Sequence, residues 1–136
     1  MAVTENQIIK RKSGGQLRGV VAKNENLYGG TLCFRDSNGH ATGDDDGGSN
    51  PFLGVVDAQI DNSAGSAGGM SGDVWGEATV VLLPLGSATQ ADVGKKIYAS
   101  DNYTTSLTSS SKTYIGTVSE FESTTHVWVL LDCQLP

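Results

Sequence analysis

The chain has little of what most folds are built from. Charged residues make up only 18% of its 136 positions, prolines number three, and cysteines and histidines two each. No stretch supplies Leu, Glu, Lys and Arg at a 3.6-residue period, which disfavours a helix bundle, a coiled coil and a doubly wound α/β fold. No apolar run approaches the roughly 18 residues of a membrane-spanning helix. The longest, Val80-Val81-Leu82-Leu83, stops at Pro84. The first fifteen residues carry no apolar core ahead of their charges, so no secretory signal is expected. Two histidines leave little material for a zinc site. The two cysteines, Cys33 and Cys133, allow one bridge at most, and free thiols are expected for a chain made in a reducing cytoplasm. Cys33, inside Leu32-Cys33-Phe34, reads as a small buried hydrophobe.

Gly, Ser, Thr and Ala supply 54 residues. The apolar residues gather in short clusters rich in β-branched and aromatic side chains, each bounded by Gly, Asn, Asp or Ser. Strands are expected at Gln7–Lys10, Leu17–Ala22, Thr31–Phe34, Phe52–Ala58, Val74–Leu83, Lys96–Ala99, Tyr114–Phe121 and His126–Asp132. One helical turn is expected at Thr89–Val93, with Thr89 as cap, Asp92 three residues on and Gly94 as stop. Asn38-Gly39 reads as a hairpin turn. Many short strands with polar turns predict an all-β antiparallel sandwich or small barrel.

The strands suggest a degenerate duplication. Gly30–Asn38 lines up with Lys95–Tyr103, each reading strand, Asp, turn. Phe52-Leu53-Gly54-Val55-Val56 lines up with Tyr114-Ile115-Gly116-Thr117-Val118. Ala78–Leu83 lines up with His126–Leu131. Gly54 and Gly116 at matched places point to a bulge or a close backbone approach in each strand. Two similar β-units closing on a shared core follow. The first copy is lengthened in two Gly-rich loops, Asp36–Asn50 and Ala58–Asp73. Little core is expected of either, and their glycines imply flexibility or backbone contacts with a partner.

Charge is unevenly placed. Residues 1–23 carry a net +4 and the remaining body a net −10. The chain therefore divides into a basic N-terminal arm or edge segment, 1–23, and one all-β domain, 24–136. The arm reads as a docking element in which Ile8 and Ile9 fill an apolar groove and Lys10, Arg11 and Lys12 meet acidic side chains. The alternative is an arm folded back as an edge strand of its own domain. The acidic body and the lack of an arm aromatic argue against nucleic acid as a partner, and no membrane partner is expected.

No catalytic constellation stands out. Asp44-Asp45-Asp46 lacks the alternating ligands of an EF-hand and reads as a solvated loop. His40 lies in a Gly-rich loop, His126 opens a strand, and no Gly-x-Ser-x-Gly elbow or phosphate-binding loop is present. The chain is expected not to be an enzyme, with no catalytic, cofactor or metal residues. Trp75, Trp128, Tyr98, Tyr114, Phe52 and Phe121 sit in or beside strands. Core packing is their commoner fate, and a sugar-binding platform the alternative.

The run Ala91-Asp92-Val93-Gly94-Lys95-Lys96-Ile97-Tyr98-Ala99-Ser100-Asp101, followed by Tyr114-Ile115-Gly116-Thr117-Val118 and Val127-Trp128-Val129-Leu130-Leu131-Asp132, resembles the C-terminal half of the capsid decoration proteins of tailed bacteriophages. These are also called cement or head-stabilising proteins. The resemblance covers residues 89–132 well and 16–58 loosely, and the loop Ala58–Asp73 departs from the family's compact pattern. It implies an all-β structural virion protein that binds the outer surface of a phage capsid and stabilises the shell. It implies the major capsid protein and further copies of itself, as homodimer or homotrimer, for partners, no cofactor, and a place on the virion after synthesis in the host cytoplasm. The alternative function is a carbohydrate-binding or fibre-associated adhesion module.

Overall fold

The structure is a computed structural model that describes residues 16–22, 24–76 and 78–133. The protein is all-β. Among the described residues, twelve strands are joined by turns and two short 3₁₀ turns, Asp46–Gly48 and Gln90–Asp92. One five-stranded antiparallel sheet runs in the order β1 (Gln16–Val20), β7 (Ser71–Trp75), β5 (Phe52–Val56), β3 (Leu32–Arg35), β4 (Ala41–Thr42). The other runs β8 (Val80–Pro84), β12 (His126–Leu131), β11 (Thr113–Ser123), β9 (Lys96–Ala99), β10 (Thr105–Ser106). A two-stranded ribbon of β2 (Glu25–Leu27) and β6 (Ile60–Asn62) completes the fold.

The two sheets have one topology. In each, the first strand in sequence forms an edge against the last, the last pairs with the penultimate, and the penultimate with the second, which carries a two-residue strand on its far side. The spacing along the chain is the same for Gln16 to Val80, Leu32 to Lys96 and Ala41 to Thr105. Matched backbone contacts recur. Asp36 N–H donates to the His40 carbonyl, and Ser100 N–H to the Thr104 carbonyl, each at 2.9 Å. An Asp carboxylate ties both turns: Asp36 accepts from the N–H of Asn38 and His40, Asp101 from the N–H of Tyr103 and Thr104. Gly39, in the expected hairpin turn, has φ +83°.

Each matched glycine has a steric cause. Register shifts in both sheets fall where Gly54 faces Cys33 and where Gly116 faces Ile97. A β-carbon on Gly54 would run into the Trp75 carbonyl oxygen, and one on Gly116 into that of Leu130. Trp75 and Leu130 are themselves equivalent, paired with Val55 and Thr117 respectively. The bulge places an edge-to-face aromatic pair beside each glycine: Phe34–Phe52, centroids 6.2 Å apart at 64°, and Tyr98–Tyr114, 5.9 Å apart at 63°.

Three readings of the sequence need correction. Val74–Leu83 is not one strand; the chain turns near Gly76 and Ala78 (φ +65°), and its two halves enter different sheets. Val80–Pro84 is not the counterpart of His126–Leu131 but its antiparallel neighbour, standing where β1 stands in the first unit. The first alignment is also off by one: Phe34, not Cys33, matches Tyr98.

The Gly-rich loops are likewise less empty than expected. Ala41 and Ile60 are buried, and Ile60 packs with Val21, Leu27, Cys33, Leu53, Val56 and Val74 under the ribbon. Buried Asn62 donates from Nδ2 to the carbonyls of Ala22 and Ser66, both at 2.9 Å. The loop backbone bonds to its own chain, with Val21 N–H donating to Met70 and Gly68 N–H to Val21. A single Ile between polar residues has no periodicity to announce it, which is why the loop reads as solvent-facing.

Layer order follows from the two cores. The first sheet buries one face under the ribbon. Its other face, with Leu32, Phe34, Phe52 and Val55, packs on the inner face of the second sheet, where Leu83, Ile97, Ile115, Val118, Val127, Val129 and Leu131 lie. The fold is an antiparallel β-sandwich with one side thickened by a ribbon. Across the seam, Leu32 N–H donates to the Asn102 carbonyl at 2.6 Å and the Thr113 hydroxyl to the Asn50 carbonyl at 2.9 Å.

Candidate binding surface

Among the described residues, nothing covers the outer face of the second sheet. Alternation in His126–Leu131 turns Val127, Val129 and Leu131 inward and Trp128 and Leu130 outward, as a strand's two-residue period requires. In β8 the same period buries Leu83 and exposes Val80 and Leu82. Cross-strand register brings these together, Val80 opposite Leu130 and Leu82 opposite Trp128. Val80 is 49% exposed, Leu82 42% and Leu130 43%, an unusual concentration of open aliphatic surface on two neighbouring strands.

Aromatic rings extend the face toward β9. Tyr98 and Tyr114 form the half-buried pair described above, with the Lys96 ammonium 5.8 Å from the Tyr114 ring centroid. The Tyr114 hydroxyl donates to Asp132 at 3.0 Å. Burial, aided by that carboxylate, raises the Tyr114 pKa above the ordinary phenol value, so the hydroxyl stays protonated and its donor role is fixed. The Trp128 indole donates to Glu122 at 2.8 Å, which holds the ring across the strands. A shallow hollow of about 220 Å³ lies beside Leu130, between Ala78, Tyr114, Thr117 and Asp132.

The remaining candidates are scattered. Of the six aromatics, Phe52 is fully buried and Phe121 packs on the core, whereas Trp75 is 38% exposed and donates to Asp57 at 3.0 Å. Cys33 is fully buried, and desolvation pushes its thiol up to about 12, as suits an inert core residue. Neither Cys33 nor Cys133 is in a disulfide. A polar cleft of about 550 Å³ opens between Arg35, Asp36, Asp44, Asp46 and Asn50. Its carboxylates serve their own loop, Asp44 accepting from Asp46 N–H and Asp36 from two backbone amides. Among the described residues no three His, Cys, Asp or Glu side chains are grouped to hold a metal ion. The arm residues Ile8, Ile9, Lys10, Arg11 and Lys12 lie outside the described residues, as does the expected strand Gln7–Lys10. The described end of the arm, Gln16–Val20, is an edge strand paired with β7.

Sequence reasoning placed Tyr98, Tyr114 and Trp128 on strands but favoured the core for them, whereas the structure sets all three half-buried on the outer face, because their strand neighbours take the inward positions. It missed Val80, Leu82 and Leu130 as surface, because a run of aliphatics reads as buried on both sides. Pro84 marks the strand as an edge but not which of its faces is open. No family model, curated protein or solved structure matches the chain.

Proposed function

We propose that the protein is a structural virion component that binds the outer surface of a tailed-phage capsid and stabilises the shell. The observation that carries this reading is the uncovered apolar face formed by Val80, Leu82, Trp128 and Leu130. In the first unit the face carrying Phe34 and Phe52 is covered by a β-sheet of the same chain; in the second the matched face, with Tyr98 and Tyr114, is left for a partner. The segment 89–132, which resembles decoration proteins, supplies most of that face. The protein works by contact alone, without turnover or cofactor. Its partners are the major capsid protein and further copies of itself, in a dimer or trimer, so that weak single contacts add up over a lattice. The basic arm, with Ile8, Ile9, Lys10, Arg11 and Lys12, supplies a second contact.

Co-sedimentation with purified tailed-phage heads tests the proposal. Saturable pelleting at a fixed number of copies per shell is expected. Protein that stays in the supernatant refutes it. The rings of Tyr98, Tyr114 and Trp128 on one open face favour a carbohydrate-binding or adhesion module as the second reading. A glycan array separates the two, since a decoration protein gives no saturable sugar binding.

A further inference from the structure

We propose that the outer face of the second sheet docks on the concave apolar side of a curled β-sheet in another protein, repeating an interface that the chain already makes once with itself. This deepens the function above, on whose contact reading it rests, by naming the form of the partner. The internal interface joins the outward residues of the first unit to the second sheet. That sheet is curled, because the Thr105 hydroxyl of β10 donates to the Pro84 carbonyl of β8 and so ties its two edge strands together. Its concave side receives Leu32, Phe34, Phe52 and Val55 of the first unit.

The open face is the second unit's copy of that group. Register sets Leu32 opposite Val55 and Phe34 opposite Phe52, and likewise Lys96 opposite Thr117 and Tyr98 opposite Tyr114. Each replacement keeps the shape and adds a polar tip: a lysine stem stands for leucine, tyrosine for each phenylalanine, threonine for valine. A face that only meets water has no need to keep those shapes. Nor does it need its polar groups tied down. The Tyr114 hydroxyl donates to Asp132 at 3.0 Å and the Trp128 indole to Glu122 at 2.8 Å, so both can lose their water without stranding a donor. Among the described residues the Lys96 ammonium and the Tyr98 hydroxyl have no hydrogen-bond acceptor, and these are the donors a partner answers.

The occupant is another protein and not a second copy. The first sheet is curled like the second, with Val21 bridged to Ala41. Both concave sides of the chain are filled, the second sheet's by the first unit and the first sheet's by Leu27 and Ile60 of the ribbon. The partner's sheet therefore carries a carboxylate facing Lys96 and an acceptor facing Tyr98, around an apolar floor for the Tyr114 ring and Leu130.

Binding isotherms on purified tailed-phage heads, with cryo-electron microscopy of the decorated heads, test this. The density should show the face of Tyr98 and Tyr114 seated on the concave side of a curled sheet of the shell. Lys96→Glu and Tyr98→Ala should each weaken binding roughly a hundredfold. Tyr98→Phe, which removes a hydroxyl alone, should weaken it about tenfold. Tyr28→Ala, at the end of the ribbon, should leave binding unchanged. Circular dichroism shows whether each variant is folded, and Lys96→Glu, at an exposed position, decides if Tyr98→Ala is not. Heads bound through another surface, or through this face against a helix or loop, overturn the inference and leave the capsid reading standing. So does full binding by a folded Lys96→Glu. Heads that do not bind the wild type overturn both. Saturable binding of a glycan, abolished by Tyr98→Ala, assigns the face to a sugar and overturns the inference as well.

Discussion

The two β-units share a topology, a glycine bulge and an aromatic pair, yet they meet water differently. The first is covered on both faces, by its ribbon and by its twin. Among the described residues, the second is covered on one. The same position therefore carries Phe34 and Phe52 in the first unit and Tyr98 and Tyr114 in the second. A hydroxyl is tolerated only where it can reach a partner, and Tyr114 finds Asp132. A duplicated framework thus has one copy devoted to making the core and the other free to make contacts.

Substitution at the matched aromatics should break the equivalence most sharply. Phe34→Ala opens the shared core and should cost about 3–5 kcal/mol, while Tyr98→Ala, at the half-exposed counterpart, should cost under about 1 kcal/mol. Chemical denaturation measures both. The glycines should behave alike where the aromatics differ. Gly54→Ala and Gly116→Ala each drive a methyl into a neighbouring carbonyl and should each lose about 2–3 kcal/mol. If only one is costly, the bulges are not equivalent.

Thiol labelling sharpens the contrast between covered and open positions without a mutation. Cys33, with its thiol raised to about 12, has a thiolate fraction at pH 7 roughly a thousandfold below that of an ordinary cysteine. In the folded protein the partly exposed Cys133 should label and Cys33 should not, and denaturant should equalise them. The smallest effect concerns the 3₁₀ turn of the second unit. The Lys95 ammonium, 3.0 Å away, and the Thr89 N–H hold the Asp92 carboxyl below the usual carboxylate range. A carboxyl lowered by folding adds stability above its unfolded pKa of about 3.9 and loses it as pH falls through the lower folded value. Asp92→Asn should therefore flatten the acid limb of the stability curve, and unchanged acid unfolding would show that the pair contributes nothing.

Strands β9, β11 and β12 of the second unit were legible because each carries its own alternating apolar set; Lys96–Ala99 is recovered residue for residue, and the turn capped by Thr89 sits where Asp92 and Gly94 place it. The glycine match was legible too, since a Gly in the middle of an aliphatic run marks a bulge or a close backbone approach. The ribbon was hidden, because Leu27 and Ile60 are single apolar residues in polar surroundings and acquire meaning only when paired across the fold. The open face was hidden for the opposite reason. Val80-Val81-Leu82-Leu83 is apolar on both sides of the strand, and sequence gives no sign of which side lacks a cover.

Hydroxyl-radical footprinting of the protein on capsids tests the division of labour between the units most directly. On binding to heads, oxidation of Leu130, Trp128 and Tyr114 on the second sheet should fall several-fold relative to the free protein, while Tyr28, exposed at the end of the first unit's ribbon, should be unchanged. Protection of Tyr28 with the second sheet still open to oxidation would contradict the account.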